Sequence, residues 1–139
     1  MFFGRYDFVL DTKGRLNFPA RFRSQMGESF VVMEWVDNCL FAMPLSEAEA
    51  LAERISGGEI MRNWEESEML FSTAAEVEPD AQGRILLTAS QREYAGLTKK
   101  VTVIGNRRHV EIWDTDVWEA RMRSGSKAEL KKTLIEQHI

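Results

Sequence analysis

Two short stretches, Asp11-Thr-Lys-Gly-Arg15 and Asp80-Ala-Gln-Gly-Arg84, each set a carboxylate four residues ahead of a guanidinium, with a glycine just before the arginine. An arginine lifted clear of a scaffold by such a turn presents a planar fork that grips the O6 and N7 of guanine, or a phosphate, in bidentate fashion. Lys13 adds a flexible point charge suited to phosphate. Gly14 and Gly83 close the turns, while Asp11 and Asp80 pair with the arginine that follows and hold it in a fixed pose. The expected DNA-binding set is therefore Lys13, Gly14, Arg15, Gly83 and Arg84, with Asp11 and Asp80 as support. The plainer alternative is an ion pair that only stiffens a hairpin; such pairs are weak, and the two roles are compatible.

The same carboxylates suggest a second chemistry, because two acids from equivalent loops can share a cleft as a catalytic pair. Against it, each lies beside an arginine that keeps it ionised, and neither a nucleophile with its base nor a phosphate-cradling loop occurs in the chain. No catalytic residue, cofactor or small-molecule substrate is expected. Arg21 and Arg23 follow Pro19 on a short helix and Arg92 sits on the equivalent helix, so these three extend the set as phosphate contacts, a solvated face being the alternative. Lys99, Lys100, Arg107 and Arg108 flank strands, where charge commonly guards edges. His109 and His138 have no partner at metal-ligand spacing and read as surface histidines, so no metal is expected. Cys39 reads as a core thiol, and Met33, Met43, Met61 and Met69 as core filler.

The elements that must position the two turns repeat as well. At an offset of 69, residues 1–27 lie over residues 70–96: the Asp, Gly and Arg of the turns coincide, Phe2 meets Phe71, Phe8 meets Val77, Leu16 meets Ile85, Phe18 meets Leu87 and Gly27 meets Gly96. At an offset of 70, Ser46 meets Asp116 and Glu49 meets Glu119. The chain is thus a tandem duplication: a first repeat over residues 1–50, a helical connector over 51–70, a second repeat over 71–120 and a helical tail over 121–139. Tyr6–Leu10 and Arg15–Phe18 alternate as short strands about a bulged hairpin turn. Pro19 opens a helix that Gly27 ends, and a Thr88–Gln91 capping box opens its counterpart. Residues 30–35, 39–43, 101–104 and 110–113 read as further strands. Capping boxes at Ser46–Glu49, Asp116–Glu119 and Ser126–Glu129 open the longer helices. Gly57-Gly58 breaks the first of these, and Glu59 to Ser72 reads as a second, with Ile60, Trp64 and Phe71 on a core-facing side.

The net charge of -4 argues mildly against a polyanionic partner, but the distribution is uneven. Residues 1–27 carry five basic side chains against two acidic, and residues 81–108 carry six against one; residues 28–80 carry two against thirteen. Each basic block holds the arginine of a repeated turn, and the acidic middle reads as a solvated helical face, the alternative being that it steers DNA toward the turns by repelling it elsewhere. A single cysteine gives no disulfide framework and suggests a reducing compartment. No apolar run approaches the ~18 residues that crossing a bilayer takes, so no membrane association and a cytoplasmic location are expected.

Four strands make a poor core alone, so two such units are expected to pair their strands within one chain and close a barrel, giving an α+β, mainly β fold. The motifs MF-x-G, DTKGRLNFPARFR and DAQGRILL followed by YAGLTK resemble the MraZ family, the tandem members of the SpoVT/AbrB-type swapped-hairpin barrels, from Met1 to about Trp118. The resemblance implies two AbrB-like swapped-hairpin motifs forming an intramolecular double-split β-barrel with flanking helices. It also implies a nucleoid-associated transcriptional regulator, a ring-shaped homo-oligomer, that binds G-rich direct repeats in double-stranded DNA upstream of its own operon, the division and cell wall gene cluster. In that family the D-x-x-x-R turns face DNA, which maps onto Asp11 to Arg15 and Asp80 to Arg84. An antitoxin-like protein-interaction module is the alternative; its expected mark, a long disordered tail, does not fit the short stretch after Trp118. Thr88 departs from the family pattern, in which a helix-starting proline is frequent, and the capping box compensates.

Overall fold

The computed structural model describes residues 1–58 and 64–139. The first repeat runs β1 (Phe2–Val9), β2 (Arg15–Asn17), α1 (Ala20–Met26), β3 (Phe30–Trp35), a 3-10 turn (Val36–Asn38), β4 (Cys39–Pro44) and α2 (Leu45–Ser56). Helix α3 (Trp64–Phe71) leads into the second: β5 (Ala75–Val77), β6 (Arg84–Leu86), α4 (Ala89–Tyr94), β7 (Lys100–Arg107), β8 (His109–Asp114) and α5 (Thr115–Ser124), followed by α6 (Lys127–Glu136). Each repeat thus keeps the expected order of strand, turn, strand, short helix, strand, strand, helix.

The architecture is α+β and mainly β, with helices flanking an antiparallel sheet. Six strands are ordered β1-β7-β8-β4-β3-β5, and β2 and β6 pair separately as a two-stranded ladder. Only the third and fourth strands of each repeat pair with each other, as β3 with β4 and β7 with β8. The first strands cross over: β1 pairs with β7 from Phe2↔Arg107 to Val9↔Lys100, and β5 pairs with β3. Strands β4 and β8 join the halves at the centre. A unit of this size cannot bury enough surface by itself, and the interleaved strands give the two repeats one core.

That core draws on both repeats, with Leu16, Phe22, Phe30 and Val32 from the first fully buried beside Ile85, Val101, Val103 and Ile112 from the second. Phe22 meets the rings of Phe2 and Tyr6 edge-on at 5.5 and 5.3 Å. Burying each such apolar side chain stabilises the fold by roughly 1.5–3 kcal/mol. Helix α4 opens with the expected capping box: the Thr88 hydroxyl accepts from the Gln91 backbone N–H, and the Gln91 side-chain Oε1 accepts from the Thr88 N–H. Gln91 is 1% exposed, and its amide nitrogen donates to the backbone carbonyls of Val32 and Thr73. The cap therefore also fastens the second repeat to β3 of the first. Ser126 caps α6 as expected, by accepting from the Glu129 N–H.

Several local expectations need correction. Helices α2 and α5 start two residues earlier than the Ser46 and Asp116 boxes imply, because β4 and β8 run straight into them: Pro44 and Asp114 occupy the N-caps, and Asp114 accepts from the Val117 N–H. Strand β1 extends back to Phe2, whereas the residue aligned with Phe2, Phe71, ends a helix. Trp64 and Met69, expected in the core, are 77% and 62% exposed, while Met33 and Met43 are buried as expected. Ile60 and Met61, assigned to the same core, and the expected start of the second connector helix at Glu59 lie outside the described residues. Among the described residues, no helix is long and apolar enough to cross a membrane.

Candidate nucleic-acid interface

Each turn is built around its aspartate. One Asp11 oxygen accepts from the backbone N–H groups of Lys13 and Arg15 at 2.9 and 2.8 Å, and the other accepts from the Arg15 Nε at 2.6 Å. Asp80 repeats the pattern, with one oxygen accepting from the Gln82 and Arg84 N–H groups and the other from the Arg84 Nε, all at 2.9 Å. The backbone closes through Asp11 N–H to Arg15 O and Gly14 N–H to Asp11 O, and identically in the second turn. Gly14 and Gly83 take φ of 83° and 78°, a left-handed conformation that glycine adopts without steric cost. The backbone N–H of Arg15 leads the interactions that hold the Asp11 carboxyl down at about 2, against a smaller upward push from burial. The corresponding N–H of Arg84 lowers Asp80 in the same way. Both carboxyl groups are thereby kept ionised near neutral pH, so neither holds the proton that the acid of a catalytic pair must donate.

The turns close locally like hairpins, but the strands they join part company: β1 and β5 enter the large sheet while β2 and β6 form the small ladder. Each turn is a corner between two sheets. The ladder pairs Arg15 with Leu86, Leu16 with Ile85 and Asn17 with Arg84. Two further bonds lock its ends, from Phe18 N–H to the Gly83 carbonyl and from Leu87 N–H to the Gly14 carbonyl, both at 3.0 Å. Period-two alternation sends Leu16 and Ile85, both 0% exposed, into the core and leaves Arg15, Asn17, Arg84 and Leu86 on the outer face. Arg84 also lies 4.0 Å from Asp11 across the ladder. The structure thus brings Asp11, Arg15, Asp80 and Arg84 together on one ridge, with exposed Lys13 and Gln82 at the tips of its turns.

The three helix arginines expected as phosphate contacts differ in their surroundings. Arg23 and Arg92 are half-buried: a Cβ placed on Gly83 would come within 2.7 Å of the Arg23 Cζ, and one on Gly14 within 2.8 Å of the Arg92 Cζ and Nε. Each guanidinium therefore lies against the glycine of the other repeat's turn. Arg23 Nε donates to the Phe18 carbonyl at 3.0 Å, whereas Arg92 Nε is buried with no hydrogen-bond partner among the described residues. Arg21 is exposed and sits 4.5 Å over the Phe3 ring. One signal for this difference was present in the sequence. Arg23 and Arg92 match at the repeat offset, while Arg21 falls on Ser90.

His109 is not the surface histidine expected. Its ring stacks on Phe41 at 3.8 Å, and its Nε2 lies 3.0 Å from a Glu111 oxygen. Burial pushes the Glu111 carboxyl up, but hydrogen bonds with His109, Asn106 and Trp113 outweigh it and hold the group at about 2. This cluster braces β7 against β8 away from the ridge.

Two cross-locked turns on a small ladder, carried by a sheet that both halves complete, define a pseudo-two-fold tandem-repeat protein with a guanidinium-bearing ridge. The profile of the family described as "MraZ protein, putative antitoxin-like" matches residues 1–62 and 70–135. The chain is similar to the protein named "Transcriptional regulator MraZ" of Pelotomaculum thermopropionicum, with 45% identity over 121 residues, 86% of this chain and 83% of that protein. It is 41% identical over 120 residues to the protein of the same name from Carboxydothermus hydrogenoformans, covering 85% and 84% of the two chains. The chain belongs to the MraZ family.

Proposed function

We propose that this protein is a sequence-specific DNA-binding transcriptional regulator and acts as a repressor. The observation that carries the proposal is the β2–β6 ladder, which fixes Arg15 and Arg84 on one outer face with their carboxylate partners already in place. A two-stranded ribbon is one of the two elements that the major groove admits, and arginine is the side chain best matched to guanine there. Exposed Lys13 and Arg21 act as phosphate contacts, and Arg23 and Arg92 support the turns from beneath. The names of the relatives agree with this function. The partner proposed is double-stranded DNA carrying short G-rich direct repeats upstream of the protein's own operon, the division and cell wall gene cluster, in a cytoplasmic, nucleoid-associated setting.

The finer architecture belongs to the same proposal. Residues 1–50 and 71–120 act as two swapped-hairpin repeats, and the large sheet with its small ladder forms the split barrel they share. A ring of identical chains would present one ridge per subunit, so that direct repeats about one helical turn apart (~10 bp) each meet a subunit. Exposed Leu130, Leu134 and Ile135 on α6 favour a partner surface for that tail, either another copy or, in the antitoxin-like alternative, a different protein.

The test is Arg15→Ala, Arg84→Ala and their combination, in gel shifts on DNA selected from a random pool. Each single change should weaken sequence-specific binding roughly 5- to 150-fold while circular dichroism stays unchanged. Binding should also fall steeply between 50 and 200 mM salt. Wild-type affinity in the double variant refutes the assignment.

A further inference from the structure

The ridge is not symmetric, and the asymmetry falls where bases would be read. The pseudo-two-fold axis passes between Leu16 and Ile85, which are partners in the ladder and equivalent at the repeat offset. It exchanges Arg15 with Arg84, alike in kind, and Asn17 with Leu86, which are not. The end bonds at Gly14/Leu87 and Phe18/Gly83 set the alternation, making Leu16/Ile85 the hydrogen-bonded pair. Arg15/Leu86 and Asn17/Arg84 are then the non-hydrogen-bonded pairs, in which cross-strand side chains come closest. One arginine therefore stands beside an amide and the other beside an isobutyl group. Both neighbours are exposed, Leu86 at 59%, and neither serves the core.

Resting on the DNA-binding function proposed above, we propose that Asn17 and Leu86 determine specificity and give the protein a direction on the duplex. A side-chain amide pairs with the N6 and N7 of adenine, and an aliphatic side chain contacts the methyl of thymine. Successive outward pairs on a ribbon lie about 7 Å apart, close to two base-pair rises of ~3.4 Å. The Asn17/Arg84 end therefore selects guanine with a neighbouring adenine, and the Arg15/Leu86 end selects guanine with a neighbouring thymine. A ribbon with identical ends would select a palindrome; this one selects a site with unlike halves. Lys13 opposite Gln82 also breaks the symmetry, but as a phosphate contact Lys13 carries no base information.

The experiment is random-pool selection with the wild type, Leu86→Asn and Asn17→Leu, each confirmed as folded by circular dichroism. The wild type should enrich a non-palindromic site. Leu86→Asn, whose ends are alike, should enrich a more palindromic one, and preference at the altered position should move from thymine toward adenine by at least about fivefold. Asn17→Leu should move the other half from adenine toward thymine by a similar factor. If both variants enrich the wild-type sequence unchanged, or lose affinity equally for all sequences, the assignment of Asn17 and Leu86 is overturned while DNA binding stands. If the wild type enriches nothing, DNA binding fails and this inference fails with it.

Discussion

Gly83→Ala perturbs the ridge in two separable ways. The new side chain must occupy a backbone φ of +78°, which costs an L-residue roughly 1–2 kcal/mol. Its Cβ would also arrive 2.7 Å from the Arg23 Cζ and 3.0 Å from the Nε and one terminal nitrogen. Because these atoms end a flexible side chain, Arg23 yields by swinging away and gives up its bond to the Phe18 carbonyl. Losing a hydrogen bond from a charged donor in this half-buried position costs about 1.5 kcal/mol. The expected total is roughly 2.5–3.5 kcal/mol. In an Arg23→Ala background only the backbone cost remains, so a double-mutant cycle measured by urea unfolding should give a coupling of about 1.5 kcal/mol. The matching cycle at Gly14 and Arg92 should couple less, since Arg92 Nε has no partner to lose among the described residues. Equal costs of Gly83→Ala with and without Arg23 would show that the guanidinium does not pack against the turn, and would return Arg23 to the phosphate contacts.

Gln91→Leu removes two buried donor bonds and half of a capping box at nearly constant volume, so urea unfolding should show a loss of roughly 2–4 kcal/mol; a change under 1 kcal/mol would contradict the clamp. Asp11, held at about 2 in the fold against an ordinary 3.8, contributes stability that is fully present above pH 3.8 and is lost as the pH falls through 2. A carboxyl NMR titration should place its midpoint near 2, and a midpoint at 3.8 would contradict the turn geometry. Burial pushes the Cys39 thiol up to about 12, so maleimide at pH 8 should leave the native protein unlabelled and react fully in urea; prompt native labelling would refute its core position.

The turns were legible in the sequence because their chemistry is local: aspartate, glycine and arginine at fixed offsets specify one backbone path whatever surrounds it. The α4 cap was legible for the same reason, as Thr88 and Gln91 lie three residues apart. What could not be read there is contact between repeats. Nothing near Arg23 says that it lies under Gly83, and nothing near Gln91 says that its amide reaches Val32. The caps of α2 and α5 misled because Ser46 and Asp116 carry the right side chains at the right spacing, yet the strands before them deliver the chain into helix two residues sooner. Trp64 looked like core from its size and spacing, and only the packing shows it facing solvent. Asn17 drew no notice, since its importance lies in the residue opposite, which the ladder register alone reveals.

The crossing of β1 to β7 also sets the order in which the chain can assemble. Phe2 pairs with Arg107, about a hundred residues downstream, so the first strand to leave the ribosome finds its partner only when most of the chain has followed. At ~5–20 residues per second that is a wait of roughly 5–20 s, during which the β1 backbone lacks its ladder partner. Strand β5 has no such delay, because β3 is already outside when it emerges. Strand β5 can therefore close onto the first repeat during synthesis, while β1 must wait until β7 has followed, which makes the nascent chain, rather than the finished protein, the form most exposed to aggregation.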